Sequence, residues 1–436
     1  YMSVIKDIRA REILDSRGMP TLEVEVHLQS GAFGKAAIPS GASKGKYEAQ
    51  ELRDGDKKRF FGKGVKQAVN NVNSEIFDCL SGFEFDNQSS VDQKLINLDG
   101  TENKKRLGAN SILGVSLAAA RACADEAESD LFQYLGDTAV SALMKTKVNK
   151  LPVPMMNIIN GGRHANNPIE IQEFMILPVS AKTVAEAVRM GSEVFSSLKN
   201  VLNDKNLSIA VGDEGGFAPA LKTTEDALSY MALAIEKTSY KLGSDIVFAL
   251  DAAANEFYSN KKYVLKSEGS KLTSDELIKF YSNLISRFPI FSIEDGMAED
   301  DFDGWINMTE ELGNKIQLVG DDVFVTNQKY LENGIRKNIA NAILIKVNQV
   351  GTLTETLNTI KVARESDYAT IMSHRSGETE DSFIADLSVA AECSQIKAGS
   401  LSRSERVAKY NRLMKIEESL GNSSQFYGKL ILDKFV

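Results

Sequence analysis

Short apolar runs in the second half of the chain each end in a polar residue, and they recur at a nearly constant spacing. The polar ends lie 23 to 28 residues apart, at Glu294, Asp321, Lys346, His374 and Lys397. Segments with a helical pattern, such as 275–287 and 352–364, lie between them. A strand followed by a helix at this period is typical of parallel strands joined by crossovers. The spacing therefore predicts a series of strand–helix units.

Such a series either closes into a barrel or opens into a doubly wound sheet. A dinucleotide-binding sheet would place a GxGxxG motif after its first strand, and the sequence has none there. We therefore expect an α/β barrel of the TIM type. In that fold the carboxyl ends of the strands face one shared active site, so residues that are distant in sequence become neighbours.

The N-terminal part of the chain has a different pattern. Residues 4–38 contain stretches that alternate with a period of two, such as 21–26, and these predict strands. From about residue 62 to 135 the apolar period is helical. Strands followed by a run of helices predict an α+β domain. We place this capping domain at residues 1–140 and the catalytic barrel at 141–436.

Charge and residue usage argue against several classes of function. The net charge of −9 comes without a basic block, which disfavours nucleic-acid binding by electrostatics alone. The three cysteines are far apart, so neither a disulfide framework nor a zinc cage fits. No apolar run approaches membrane-spanning length, and the N-terminus lacks a signal-peptide pattern. We expect no membrane insertion and a cytoplasmic location.

Three of the predicted strand ends carry acids: Asp251, Glu294 and Asp321. At adjacent barrel strands these carboxylates would meet at one spot, repel one another and raise one another's pKa. A divalent cation removes that repulsion. With only three histidines in the chain, the ligands must be oxygens, which favours Mg²⁺. For any one acid taken alone, a solvated strand end or a helix N-cap is the simpler interpretation.

Two lysines, Lys346 and Lys397, end later runs of the same series. One interpretation is a general base, its pKa lowered by a second cation and a nearby metal ion. The alternative is a lysine that snorkels or forms an ion pair with the acids.

Glycine-rich turns supply further candidates. The turn 211–219 carries Asp213 and Glu214, and its glycines permit unusual backbone angles. Glu214 is the candidate general acid, although the residues alone do not decide between it and Asp213, and a plain turn is the alternative. The turn 160–167 carries His164, and a loop histidine is more often a surface residue.

Two segments suit an anionic ligand. His374, Arg375 and Ser376 follow a strand end and offer donors to a phosphate or carboxylate, with helix capping by Ser376 as the alternative. Residues 40–43 form a loop of small residues that ends at Ser43. It would be a mobile lid with hydroxyl ligands, or else a flexible linker.

Ten segments, in order along nearly the whole chain, resemble the enolase (phosphopyruvate hydratase) family. They are AREILDSRG (10–18), PSGASKGKYEA (39–49), NIINGGRHANN (157–167), QEFMILP (172–178), GDEGGFAP (212–219), SIEDG (292–296), LVGDD (318–322), IKVNQVGT (345–352), SHRSGETED (373–381) and SRSERVAKYN (402–411). So many ordered matches are far more specific than any single motif.

The resemblance implies a function: reversible, Mg²⁺-dependent dehydration of 2-phospho-D-glycerate to phosphoenolpyruvate in glycolysis and gluconeogenesis, with two Mg²⁺ per active site. It also implies roles for the matched residues. Asp251, Glu294 and Asp321 would bind the first Mg²⁺, and Ser43 would help to bind the second. Lys346 would remove the C2 proton, and Glu214, supported by Glu173, would protonate the leaving hydroxyl. Lys397 would contact the substrate carboxylate region, Arg375 and Ser376 would bind the phosphate, and His164 and His374 would line the site. It implies a homodimer or homo-octamer as well.

The sequence departs from the commonest family pattern at several positions that are not proposed ligands or catalysts. Lys44 stands where Thr is usual, and Arg163 stands where Ser or Ala is usual. Both add positive charge to loops, so we expect altered loop closure or phosphate affinity. Gly296 replaces a proline that is common in eukaryotic members, which makes the sequence look bacterial.

Two other functions fit parts of the pattern. A racemase or sugar-acid dehydratase could share the scaffold, but the cluster 373–376 argues for a phosphate. A non-enzymatic role, at the cell surface or in an RNA-degradation assembly, would not need the full set of acids and lysines. Such a role could coexist with catalysis.

Overall fold

The computed structural model describes residues 3–42 and 45–435. It has an N-terminal α+β part followed by a closed barrel of eight strands, as the sequence predicts.

The N-terminal part is a four-stranded sheet covered by helices. The strand order is β3-β2-β1-β4, and β1 pairs with β2 in an antiparallel register. In β2 the alternate residues Leu22, Val24 and Val26 are fully buried, which explains the period of two in the sequence. The elements are β1 (Ser3–Leu14), β2 (Pro20–Leu28), β3 (Phe33–Ala37), α1 (Lys66–Asn71), α2 (Phe77–Leu80), β4 (Glu84–Phe85), α3 (Gln88–Asp99), α4 (Ala109–Glu126) and α5 (Leu131–Leu135).

Helix α4 lies directly on this sheet. Nearly all of its residues are buried, and it carries Gly114 against the strand residue Val24. A Cβ atom at Gly34 of β3 would lie 2.2 Å from the carbonyl oxygen of Ala118, so the helix approaches the sheet as closely as backbone allows.

The barrel closes in the order β12-β13-β14-β15-β16-β6-β7-β8. A short parallel pair, β5 (Lys150–Leu151) with β17 (Gln425–Phe426), and a three-stranded meander, β9 (Tyr258–Ser259), β10 (Lys262–Leu265) and β11 (Ser270–Leu272), lie outside it. The barrel strands are β6 (Val153–Asn160), β7 (Glu173–Pro178), β8 (Ile246–Asp251), β12 (Ile290–Glu294), β13 (Gln317–Gly320), β14 (Ala342–Ile345), β15 (Ala369–Ser373) and β16 (Gln395–Lys397).

Strand β7 is the exception to the predicted parallel series. It runs antiparallel to both β6 and β8, whereas the other neighbouring pairs are parallel. Between β6 and β7 the chain makes a loop with one short 3₁₀ turn instead of a helix, so β7 returns in the opposite direction. Its first residue, Glu173, therefore pairs with Asp251 at the carboxyl end of β8.

Helices surround the barrel and begin at defined caps. In α8 the side chains of Thr273 and Glu276 form a reciprocal capping box that satisfies two backbone N–H groups. The helices are α6 (Val184–Asp204), α7 (Thr224–Glu236), α8 (Ser274–Arg287), α9 (Phe302–Leu312), α10 (Gln328–Arg336), α11 (Val347–Val350), α12 (Leu353–Glu365), α13 (Phe383–Ala390) and α14 (Ser404–Leu420). None of the helices in the described residues is long and apolar enough to cross a bilayer.

Polar contacts join the N-terminal part to the barrel. The guanidinium of Arg121 on α4 binds both carboxylate oxygens of Asp381, at 2.6 and 2.8 Å. Lys104 donates to Glu355 at 2.9 Å, in the first turn of α12. The N-terminal part thus lies against the barrel face at which the site residues meet.

Candidate active site

The strand ends of the barrel bring most of the predicted site residues to one small cavity. The cavity is lined by Gly41, His164, Gln172, Glu173, Glu214, Asp251, Ala253, Asp295, Asp321, Asp322, Lys346, Ser373, His374, Arg375, Ser376 and Lys397. Glu294 lies beside it, paired in register with Asp251. Ser43 lies outside the described residues.

Lys397 is surrounded by carboxylates. Its ammonium group donates to Asp251 at 2.8 Å and to both oxygens of Glu294 at 2.9 Å. It also lies 3.1 Å from Glu173. All four side chains are buried. The pKa of Lys397 is raised well above its usual value, because these carboxylates outweigh the effect of burial, which would lower it.

Lys346 forms an ion pair with Asp321. Burial would lower the pKa of this lysine, but the charges of Asp321 and Glu294 together outweigh it and the pKa is raised. The lowered pKa that we predict for Lys346 beside a metal ion stays a prediction. The ion pairs that the sequence left as an alternative for both lysines are present.

The sequence prediction missed Asp295. It lies in the left-handed region with φ of 43°, and its carboxylate accepts the backbone N–H groups of Asp321 at 2.8 Å and Asp322 at 3.1 Å. Burial and the neighbouring acids, Asp322 first, raise its pKa well above the usual value. Asp295 thus ties the end of β12 to the turn that carries Asp321. Its position directly after Glu294 was the only signal.

Asp321 has another missed partner in Gln349, three residues after Lys346. The Gln349 amide donates to Asp321 at 2.9 Å and accepts from Thr326 at 2.7 Å. Its buried position on the short helix α11 holds the carboxylate that faces Lys346.

The donor set suits a hard divalent cation. Among the described residues, two groups of three place their ligand atoms within 4.8 Å of one another: His164, Glu173 and Glu214, and Asp295, Asp321 and Asp322. Asp251, Glu294 and Asp321 are not one of these groups, and each of them binds a lysine ammonium group. Mg²⁺ prefers carboxylate oxygens as ligands. The buried carboxylates of Asp251, Glu294 and Asp321 therefore fit the metal.

Glu214 is aimed into the cavity by its glycine-rich turn. A Cβ atom at Gly212 would lie 2.4 Å from the carbonyl oxygen of His164, so the turn packs tightly on the neighbouring loop. Glu214 is 2% exposed and accepts from the Asn157 amide at 3.1 Å, whereas Asp213 is only half-buried. Of the two acids that the sequence left open, Glu214 is the one that lines the cavity.

Glu173 and His164 stand beside Glu214. His164 Nδ1 lies 3.5 Å from Glu173 and 3.6 Å from Glu214, so this histidine is buried rather than on the surface. Burial and the charge of Glu214 raise the pKa of Glu173 well above its usual value. Burial would raise the pKa of Glu214 too, but His164, His374 and Arg406 outweigh it and lower that pKa well below its usual value, so the proton of this pair belongs on Glu173.

The phosphate-side candidates contact the N-terminal part. Arg375 binds both carboxylate oxygens of Glu48, at 3.1 and 3.2 Å. The Ser376 hydroxyl accepts the backbone N–H of Ala42 at 2.6 Å, so it binds the predicted lid loop rather than capping a helix. Arg163 pairs with Glu256 at 2.7 Å, and Lys44 lies outside the described residues.

Comparison with protein families gives two matches. Residues 148–434 match the model described as the C-terminal TIM barrel domain of enolase, and residues 5–135 match the one described as the enolase N-terminal domain. The two matches cover the barrel and the sheet part of the structure.

Proposed function

The chain belongs to the enolase family, and on that premise we propose that it catalyses the reversible, Mg²⁺-dependent dehydration of 2-phospho-D-glycerate to phosphoenolpyruvate. One observation carries the proposal. A half-buried lysine, Lys346, and a buried carboxyl group, Glu214, line the same cavity together with acids that suit a divalent cation.

We assign substrate and metal binding to four sets of side chains. Asp251, Glu294 and Asp321 would hold the first Mg²⁺, and Ser43 would help to hold the second. Arg375 and Ser376 would bind the phosphate, and Lys397 the carboxylate region. When bound, the metal ions supply positive charge that stabilises the substrate carboxylate as its negative charge grows.

Lys346 is the proposed general base. The proton on C2 is very weakly acidic, because its removal adds a second negative charge next to the carboxylate. In its neutral form the Lys346 amine takes this proton, and the electron pair of the broken C–H bond remains on C2. The ion pair with Asp321 belongs to the protonated form of Lys346, so the lysine must lose that proton before it can act as the base.

Glu214 is the proposed general acid. Hydroxide is a poor leaving group, so the C3 hydroxyl must receive a proton as its C–O bond breaks. The C2 electron pair then forms the double bond, the hydroxyl leaves as water, and Glu214 becomes a carboxylate. Glu173 supports this step, since its raised pKa keeps a proton next to Glu214, and His164 and His374 line the cavity.

The family also supports proposals about assembly and location. We propose a homodimer or homo-octamer that works in the cytoplasm. Secondary partners at the cell surface or in RNA degradation stay a prediction.

Turnover of 2-phosphoglycerate tests the function. With Mg²⁺, the wild type should produce the ultraviolet absorbance of an enol phosphate, and EDTA should abolish it. Lys346→Ala should lower kcat by about 10²-fold or more. The matched control is Lys329→Ala, at a lysine whose side chain is 79% exposed, which should retain full activity. No absorbance change with 2-phosphoglycerate, but turnover of an unphosphorylated sugar acid, would instead indicate a sugar-acid dehydratase.

A further inference from the structure

Arg406 is a buried arginine that the proposed reaction leaves without a role. Its side chain, on α14, is fully buried, and its terminal nitrogens have four close acceptors. Nη1 lies 2.6 Å from Nδ1 of His374 and donates to the carbonyl oxygen of Arg375 at 2.6 Å. Nη2 donates to the carbonyl oxygens of Ser376 at 2.6 Å and Asp213 at 3.1 Å. Arg406 therefore touches the loops on both sides of the cavity.

The contact between Arg406 and His374 fixes where the histidine carries its proton. A guanidinium group has only donors and stays protonated in proteins, so Nδ1 of His374 must accept. Burial lowers the pKa of His374 to about 4, so the ring is neutral near pH 7. A neutral imidazole carries one proton, and with Nδ1 as the acceptor that proton is on Nε2.

The protonated nitrogen lies near the proposed general acid without forming a hydrogen bond to it. Nε2 of His374 lies 3.3 Å from Oε1 of Glu214, whose other oxygen accepts from Asn157. We infer that Arg406 is a positioning residue that holds His374 as the Nε2–H tautomer and thereby orients the carboxyl group of Glu214. The catalytic part of this inference rests on the proposed function, whereas the tautomer does not.

A purely structural role for Arg406 is the competing explanation. Its bonds to three backbone carbonyls would hold the loops at 213 and 375–376 whether or not His374 mattered. The two explanations differ in one respect. As a purely structural clamp, Arg406 would affect kcat equally with and without His374, whereas as a positioning residue it would act through His374. Besides Arg406, the charged groups that act on the ring are Glu214 and Glu378.

Nitrogen chemical shifts of the histidines test the tautomer directly in the wild-type protein. The chain has only three histidines, so ¹⁵N-histidine labelling gives three ring systems, and His27→Gln and His374→Gln variants assign them. At pH 7 without ligand, we expect an unprotonated shift at Nδ1 of His374 and a protonated shift at Nε2. A protonated Nδ1 would overturn the inference. This result does not depend on whether the protein dehydrates 2-phosphoglycerate.

A double-mutant cycle tests the catalytic part. Arg406→Gln should lower kcat about tenfold or more, but by less than about twofold in a His374→Gln background, because the two residues act together. Arg412→Gln removes another arginine of α14 that binds a buried carboxylate, Asp386, away from the cavity, and should leave kcat unchanged. Equal losses from Arg406→Gln in both backgrounds would indicate a structural clamp. If Arg406→Gln does not fold, the wild-type shifts still test the tautomer on which the inference rests.

Discussion

The ammonium nitrogen of Lys397 lies 2.9 Å from both carboxylate oxygens of Glu294. The same nitrogen binds Asp251, so one buried cation neutralises two of the acids that we assign to the first Mg²⁺. Breaking a buried ion pair leaves an uncompensated charge and costs about 3–5 kcal/mol. Lys397 therefore neutralises the carboxylates to which we assign the metal.

Replacing Lys397 should make folding depend on the metal. We expect Lys397→Met to lower the free energy of unfolding in EDTA by about 3 kcal/mol, since its carboxylates lose their cation. Mg²⁺ binds only the folded state, so it should raise the melting temperature more in this variant than in the wild type. Calorimetry with and without Mg²⁺ measures both effects, with exposed Lys329→Met as the control. An equal Mg²⁺-induced rise in the melting temperature of the variant and of the wild type would contradict this account.

The ion pair between Arg121 and Asp381 should contribute a pH-dependent part of the stability. Burial would raise the pKa of Asp381, but Arg121 outweighs it and lowers the pKa below the usual 3.8. A lowered folded-state pKa adds stability above the unfolded value that is lost as the pH falls through the folded one. Asp381→Asn should thus cost about 2–4 kcal/mol in urea unfolding from pH 8 to 5, and less below about pH 4. If the difference in unfolding free energy between the variant and the wild type stays constant down to pH 3, the Asp381 carboxylate is not its source.

The three cysteines should differ in reactivity. Burial raises the pKa of Cys393 to about 11, and burial also raises that of Cys123, so neither supplies thiolate at pH 8. Cys79 is the only one with partial exposure. Titration with a thiol-reactive disulfide should modify one thiol per native chain and three per chain in guanidinium. A Cys79→Ser variant should show no rapid reaction, and rapid labelling of that variant would count against the described packing.

The two extra loop cations should affect the affinity for the anionic substrate. We expect Lys44→Thr and Arg163→Ala to raise KM and to reduce its dependence on salt. The effect of Arg163→Ala should be the smaller, because Glu256 at 2.7 Å already offsets that charge. Initial rates at two ionic strengths measure this. An unchanged KM and salt dependence in both variants would show that these charges do not reach the substrate.

Much of the barrel could be predicted because strand ends that recur at a regular spacing along the chain lie next to one another in a β/α barrel. The acids and lysines at the strand ends needed only that period and the barrel geometry. The antiparallel course of β7 could not be predicted in this way, since an apolar run such as 174–177 reads the same in both directions. The place of Glu173 therefore came only from the resemblance.

The residues that support the site were harder to find. Gln349 and Arg406 lie on helices, where polar residues usually face solvent, and their spacing carries no signal of a distant partner. Asp295 directly follows Glu294, and the sequence alone does not distinguish the roles of these two acids. Each acts through contacts with other strand ends, and only the folded chain shows those contacts.

Hydrogen exchange at C2 of 2-phosphoglycerate tests the division of roles between Lys346 and Glu214 most directly. The experiment follows loss of the C2–H signal in D₂O with Mg²⁺ present. We predict that Glu214→Gln keeps exchange at C2 while dehydration falls by about 10²-fold or more, because the base is intact and the acid is gone. Lys346→Ala should lose both exchange and dehydration. Exchange in Lys346→Ala at the wild-type rate would contradict the assignment of Lys346 as the base.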